Sequence, residues 1–139
     1  MKKILLIAAF IFSGIISSSA QEKHTVTLQF EGIKSNKGKL YVAVYNNKKS
    51  FLKKAFKGAI VKIEDNKAIV ILEDIPTGVY AVSAFHDAND NKKMDTNFFG
   101  IPKEPIGVSN NAKGFMGPPK YKDAKFEVKK NITLSINVK

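Results

Sequence analysis

Residues 75–87 read Ile75-Pro76-Thr77-Gly78-Val79-Tyr80-Ala81-Val82-Ser83-Ala84-Phe85-His86-Asp87, and this stretch decides the fold class. Pro76 and Gly78 mark a turn. The residues from Val79 to His86 then alternate with period two. Tyr80, Val82, Ala84 and His86 fall on one face and Val79, Ala81, Ser83 and Phe85 on the other. Both faces are apolar enough to be buried, as in a strand covered on two sides.

Toward the N-terminus, Val26, Leu28 and Phe30 alternate with Thr25, Thr27 and Gln29 in a half-buried strand over 25–31. After the turn Ser35-Asn36-Lys37-Gly38, residues 40–45 read as a short central strand. Residues 46–58 (NNKKSFLKKAFKG) have room for one or two helical turns with Phe51, Leu52, Ala55 and Phe56 on one side. We read them as a loop over the end of the core rather than a membrane-binding helix. Segments 59–63 and 68–72 flank Glu64-Asp65-Asn66-Lys67 as a hairpin. Toward the C-terminus periodicity vanishes from Asp87 to about Lys122, and eight of the fourteen Gly and Pro residues lie between Gly100 and Pro119. Strands return at 124–128 and 132–138. Seven short strands without a sustained helical period predict an all-β fold: an antiparallel seven-stranded β-sandwich of immunoglobulin type with one long Gly/Pro-rich loop. Residues 21–139 form its single domain.

The loop after His86 carries the chemistry. Asp87, Asn89, Asn91 and Asp95 stand at positions 1, 3, 5 and 9 of a curled segment, and the Lys93 carbonyl falls at position 7. Such spacing aims successive oxygens at one hard cation, the arrangement of Ca²⁺ loops. Lys92 replaces the glycine of position 6 and Phe98 the bidentate glutamate of position 12, so the loop does not read as a helix-loop-helix calcium hand. Asn97, Glu104 or a later carbonyl would complete the oxygen set. The metal-free alternative is an Asx-rich turn whose side chains bond nearby amides. His86 reads as a core histidine bonded to a backbone group of the Gly/Pro loop, since no second histidine stands at zinc spacing.

Phe98, Phe99, Phe115 and Tyr121 are either plugs for the end of the sandwich or a surface for a small ligand or glycan, and the plug is the preferred reading. An enzyme finds little support. The chain has no cysteine nucleophile and no G-x-S-x-G elbow. Asp87, Asp90, Asp95 and Glu104 could supply the two acids of a carboxylate hydrolase, but they crowd one loop and no Trp is present to stack a sugar. All 23 basic residues are lysines, spread over nearly every loop, against 12 acids. That pattern describes a solubilising surface rather than a nucleic-acid footprint.

The N-terminus reads as an export signal. Lys2 and Lys3 precede an apolar stretch over 4–16, and Ser18-Ser19-Ala20 offers small residues for cleavage before Gln21. The apolar stretch is short of the roughly 20 residues a spanning helix needs. Without cysteine a lipid-anchored lipoprotein is excluded. The expected product is periplasmic or secreted, monomeric, free of stable membrane insertion, and without disulfides.

The run Ile75-Pro76-Thr77-Gly78-Val79-Tyr80 through His86-Asp87-Ala88-Asn89-Asp90-Asn91, with Met94-Asp95-Thr96-Asn97, Phe99-Gly100-Ile101-Pro102-Lys103-Glu104 and Gly107-Val108-Ser109-Asn110-Asn111, resembles domain-of-unknown-function family 2141, exported proteins of Bacteroidota-type bacteria. Asp90 and Lys92 stand where members of that family commonly carry glycine, and Val108 where an aromatic is usual. The Pro76-x-Gly78-x-Tyr80 element is similar to one in transthyretin-like and adhesin B-type repeat domains, which implies that Gly78 makes the turn and Tyr80 packs inward. In the adhesin repeats a similar Asp/Asn loop binds calcium. The resemblance thus implies Asp87, Asn89, Asn91 and Asp95 as ligands, with Glu104 as an addition. The expected role is that of a non-enzymatic structural or binding module serving an envelope or extracellular partner. Intact-mass analysis of the protein recovered outside the cytoplasm should show a chain beginning at Gln21; a full-length mass would exclude cleavage there.

Overall fold

The computed structural model describes residues 20–139. The expected signal segment, residues 1–20, lies outside them apart from Ala20. The chain forms β1 (Lys23–Glu31), β2 (Lys39–Tyr45), β3 (Lys57–Val61), β4 (Ala68–Pro76), β5 (Gly78–Asp87) and β6 (Ile106–Val108). A 3₁₀ turn (Ser109–Asn111), one helical turn α1 (Tyr121–Ala124), β7 (Phe126–Val128) and β8 (Ile132–Asn137) follow. The strands build two sheets, ordered β4-β1-β8 and β3-β2-β5-β6, with β7 also pairing β5.

Alternation sends the expected residues inward. Val26, Leu28 and Phe30 of β1 meet Leu40, Val42 and Val44 of β2 and Tyr80, Val82 and Ala84 of β5 in one core shared by both sheets. Phe30, Leu28 and Leu40 are 0% exposed, and complete burial of such a side chain stabilises by roughly 1.5–3 kcal/mol each. All strands and core residues described lie between Lys23 and Val138, so a chain starting at Gln21 contains the whole described core.

β5 is central. Its length is shared by β2 on one side and by β6 and β7 in tandem on the other. Its outward face is covered in part by a second apolar cluster, in which Tyr45, Phe51, Ala81, Val108 and Ala124 pack with Tyr121. The Tyr80 hydroxyl donates to the Pro76 carbonyl at 2.7 Å, pinning the crossing from one sheet to the other. Gly78 does not need a left-handed conformation there; a Cβ on it would lie 3.4 Å from the Tyr80 ring.

Several expectations require correction. Among the described residues there are eight strands rather than seven, because Ile106–Val108 pairs with Ser83–Phe85 inside the segment read as irregular. It is also not wholly antiparallel, since β8 runs parallel to β1 from Val26↔Ile132 to Glu31↔Asn137. Side-chain periodicity reports faces and is silent on strand direction. The turn at 64–67 forms, with Asp65 and Asn66 in the left-handed region, but it joins no hairpin. β3 pairs β2 while β4 pairs β1, so the chain changes sheets at this turn. Residues 46–56, by contrast, are the expected loop, without a helix. Phe51 alone of the four expected apolar residues is buried, and Leu52, at φ 57°, breaks any helical run.

Gly38 is the residue on which the approach of the β1–β2 connection to β5 depends. Its φ is +69°, and a Cβ would fall 1.8 Å from the Asp87 carbonyl oxygen. Gly38→Ala should therefore destabilise by about 2–4 kcal/mol, combining left-handed strain with a backbone clash. Urea unfolding would show it as a lower midpoint at unchanged slope, and a loss below about 1 kcal/mol would contradict the close approach.

Candidate cation-binding loop

β5 delivers Asp87 to the mouth of the loop as a fully buried side chain, 0% exposed. One carboxylate oxygen accepts from the Asn91 amide at 3.2 Å and the other from the Lys92 amide at 2.8 Å. The chain can curl so tightly because Asp90 and Lys92 both adopt positive φ, 54° and 66°. These are the two positions where the family resemblance anticipates glycine.

Asn89 and Asn91 turn inward on the same curl. Each accepts from a backbone amide two residues on, Asn89 from Asn91 at 3.2 Å and Asn91 from Lys93 at 3.1 Å. Their amide groups donate to Asp95, from Asn89 at 2.7 Å and from Asn91 at 2.8 and 2.9 Å. These hydrogen bonds hold the Asp95 carboxyl below the usual carboxylate range, and Lys93 and Lys103 add to the effect. Lys93 itself is exposed.

Glu104 returns from the far side of the loop. Its Oε2 accepts from the Asp95 amide at 3.2 Å, whereas Oε1 is buried with no hydrogen-bond partner. Burial first, then the charges of Asp95 and Asp87, push its carboxyl up. A second curl is closed by Asn97, which accepts from the Phe99 and Ile101 amides at 2.9 and 3.0 Å. Asn97 is thereby committed to its own turn, not to Asp87.

Five of the six expected ligands, Asp87, Asn89, Asn91, Asp95 and Glu104, thus belong to one network. In kind they suit a hard cation, all of them carrying oxygen, with one buried carboxylate oxygen unmatched. In arrangement the network is closed by hydrogen bonds, and a cation would have to displace the two asparagine amides from Asp95. Among the described residues no three His, Cys, Asp or Glu side chains are gathered as a ready metal site.

His86 is buried as expected, but its partner is different. Nε2 donates to the Lys37 carbonyl at 2.7 Å, while the Gly/Pro segment is bonded by the His86 backbone amide, which donates to the Pro105 carbonyl. The aromatic plug is overturned for three of four residues: Phe98 is 97% exposed, Phe99 81% and Phe115 90%. Their rings stand in solvent instead of covering the end of the core. Tyr121 does pack, edge to face on Phe51 at 5.6 Å. Of two surface hollows, one is lined by Ile106, Val108, Asn111 and Asn137 among others, and the second includes Phe115; Phe98 and Phe99 lie in neither.

Sequence reading missed the residues that anchor the rest of the segment. Ser109, fully buried, donates to the Ala124 carbonyl at 2.6 Å and accepts from the Val82 amide at 2.9 Å. Asn110 donates to the carbonyls of Asp123 and Lys125, and Asn111 accepts from the Asn137 amide. The available signal was the adjacent pair Asn110-Asn111, a residue type that tolerates the left-handed region, where both stand at φ 58° and 50°.

A two-sheet β protein with a buried aspartate opening an Asx-rich loop is the class these features define. Residues 28–135 match the family model described as "Uncharacterized protein conserved in bacteria (DUF2141)". The chain belongs to that family. No curated protein and no solved structure gives a significant match.

The Glu104 arrangement has a pH consequence. A carboxyl raised on folding contributes stability below its unfolded value of 4.5 and loses that contribution as pH rises through the folded value. Asp95 has the opposite sign, contributing above 3.8 and failing as pH falls through its lowered value. Glu104→Gln removes an uncompensated charge, so in chelator at pH 7 it should melt higher than the wild type, with the advantage gone near about pH 4. Thermal melts at both pH values would decide, and a Gln variant that melts lower at pH 7 refutes the reading.

Proposed function

We propose that the protein is an exported, non-enzymatic module of the cell envelope, a transthyretin-like β-sandwich whose Asp87–Asp95 loop takes up Ca²⁺ and is stiffened by it. The observation that carries this reading is the buried, unpartnered Oε1 of Glu104 beside Asp95 and Asp87. A buried acceptor left unmatched costs about 1–3 kcal/mol, more when charged. A divalent cation relieves both the missing partner and the mutual repulsion of the carboxylates. Asp87, Asp95 and Glu104 would hold the ion, with the Asn89 and Asn91 oxygens and the Lys93 carbonyl as further donors. Export rests on the N-terminal pattern of residues 2–20, and among the described residues no helix is long and apolar enough to cross a membrane.

A second reading, a small-ligand or glycan module, draws support from Phe98 and Phe99, exposed together and in edge-to-face contact at 5.5 Å. A ligand stacked there would be lost in Phe98→Ala without change in calcium response.

Calcium binding predicts a stability gain by mass action. With an affinity in the weak extracellular range, about 5 mM Ca²⁺ should contribute about 1–2 kcal/mol and raise the melting temperature by several degrees over chelator. Glu104→Gln should fold and lose most of that rise, and Asp87→Ala should lose it entirely. Identical melts with calcium and with chelator would end the metal assignment.

A further inference from the structure

The lysines are dispersed in sequence, but the fold gathers a group of them. Segment 46–56 and segment 112–124 both lie over the outward face of the five-stranded sheet, joined through the Phe51–Tyr121 contact at 5.6 Å. The first carries Lys48, Lys49, Lys53 and Lys54, all exposed, and no acid. The second carries Lys113, Lys120 and Lys122, also exposed, against the single acid Asp123. Seven lysines and one aspartate leave this flank at +6.

Apolar side chains stand among these charges. Phe115 is 90% exposed and Met116 95%, the two most exposed large apolar residues outside Phe98. Phe115 borders a shallow hollow with Lys113, Lys120 and Lys122. Leu52 and Phe56 of the first segment are 39% and 46% exposed. The loop that presents Phe115 and Met116 is anchored from beneath by the buried Ser109 and by Asn110, which tie the flanking backbone of Ala124, Asp123 and Lys125.

We propose that this flank docks the protein on an anionic lipid surface, with Phe115 and Met116 entering the headgroup boundary and the lysines contacting the charged headgroups. Charge complementarity selects an anionic partner. Exposed apolar residues ringed by lysine select a bilayer over a polyanionic chain, because only a bilayer offers an apolar phase beneath its charges. This inference goes beyond the calcium reading and is independent of it. The docking residues share no side chain with the Asp87 network.

Co-sedimentation of the chain from Gln21 with vesicles tests it, using phosphatidylcholine alone and phosphatidylcholine with about a third phosphatidylglycerol. Binding should require the anionic lipid, fall with added salt, and be the same in chelator and in calcium. Each lysine near such a surface strengthens binding by about fivefold, so Lys120→Gln/Lys122→Gln should weaken it by about tenfold or more. Phe115→Ser/Met116→Ser should weaken it by at least about tenfold while melting as the wild type does. Phe98→Ser/Phe99→Ser serves as the control and should bind unchanged. Equal binding to neutral vesicles, loss in the Phe98/Phe99 control, or full binding by the Phe115/Met116 variant overturns the proposal. Retention on heparin beads without vesicle binding also overturns it, in favour of a polyanionic chain.

Discussion

A strand with the main core on its inner face and a second apolar cluster over part of its outer face needs cover from two directions and backbone partners on two edges, and β5 imposes that demand on the whole chain. Its inward residues Tyr80, Val82 and Ala84 are covered by the three-stranded sheet. Its outward Ala81 is covered by Phe51, Val108 and Ala124, drawn from segments with almost no regular structure. The Gly/Pro-rich stretch is therefore a second layer of core, held to β5 by Ser109, and not a loop appended to a finished fold. Its composition follows from that duty: short apolar contacts at Val108 and Ala124 separated by turns that bring the chain back to the sheet.

The same demand explains which parts of the fold were legible. Alternation along β1, β2 and β5 is a local property, enforced residue by residue by burial, and Val26 to Phe30 or Tyr80 to Ala84 could be assigned to faces directly. Pairing is not local. The turn Glu64–Lys67 has the residues of a hairpin and forms its bridge, yet β3 and β4 diverge because β2 and β1 offer longer partners in opposite sheets. The parallel β1–β8 pair was invisible for a related reason, since residues 106 positions apart, Val26 and Ile132, must be brought together by the crossing that follows β7. β6, three residues long, gives alternation too little length to register.

At the site, spacing identified Asp87, Asn89, Asn91 and Asp95 as one unit because Asx side chains act on amides a fixed number of residues away. What spacing could not convey is depth. Asp87 is fully buried, and Gly38, on a different connection, lets the backbone pass against its carbonyl. Glu104 joins only because Pro102 bridges back to Thr96 and Lys103 donates its amide to Asp95. The aromatic residues show the converse failure. Phe98, Phe99 and Phe115 have plug-like hydrophobicity, but each stands exposed, and Asn97 closes the turn that carries Phe98 and Phe99.

Charge shows how far an average departs from what a surface presents. The lysines looked evenly diluted along the chain, and a diluted charge attracts little. Yet residues 32–63 contain nine lysines and no acid, and the fold lays part of that stretch beside a second basic segment through one aromatic contact. The acidic network lies elsewhere: Ala81, under the basic flank, precedes Asp87 by six residues of strand, about 20 Å at the rise of an extended chain. At that separation, about two and a half Debye lengths in physiological salt, the positive flank does little to neutralise the carboxylates. The partners for Asp87, Asp95 and Glu104 must therefore be local, and the asparagine amides supply them for Asp95 but leave Glu104 Oε1 without one.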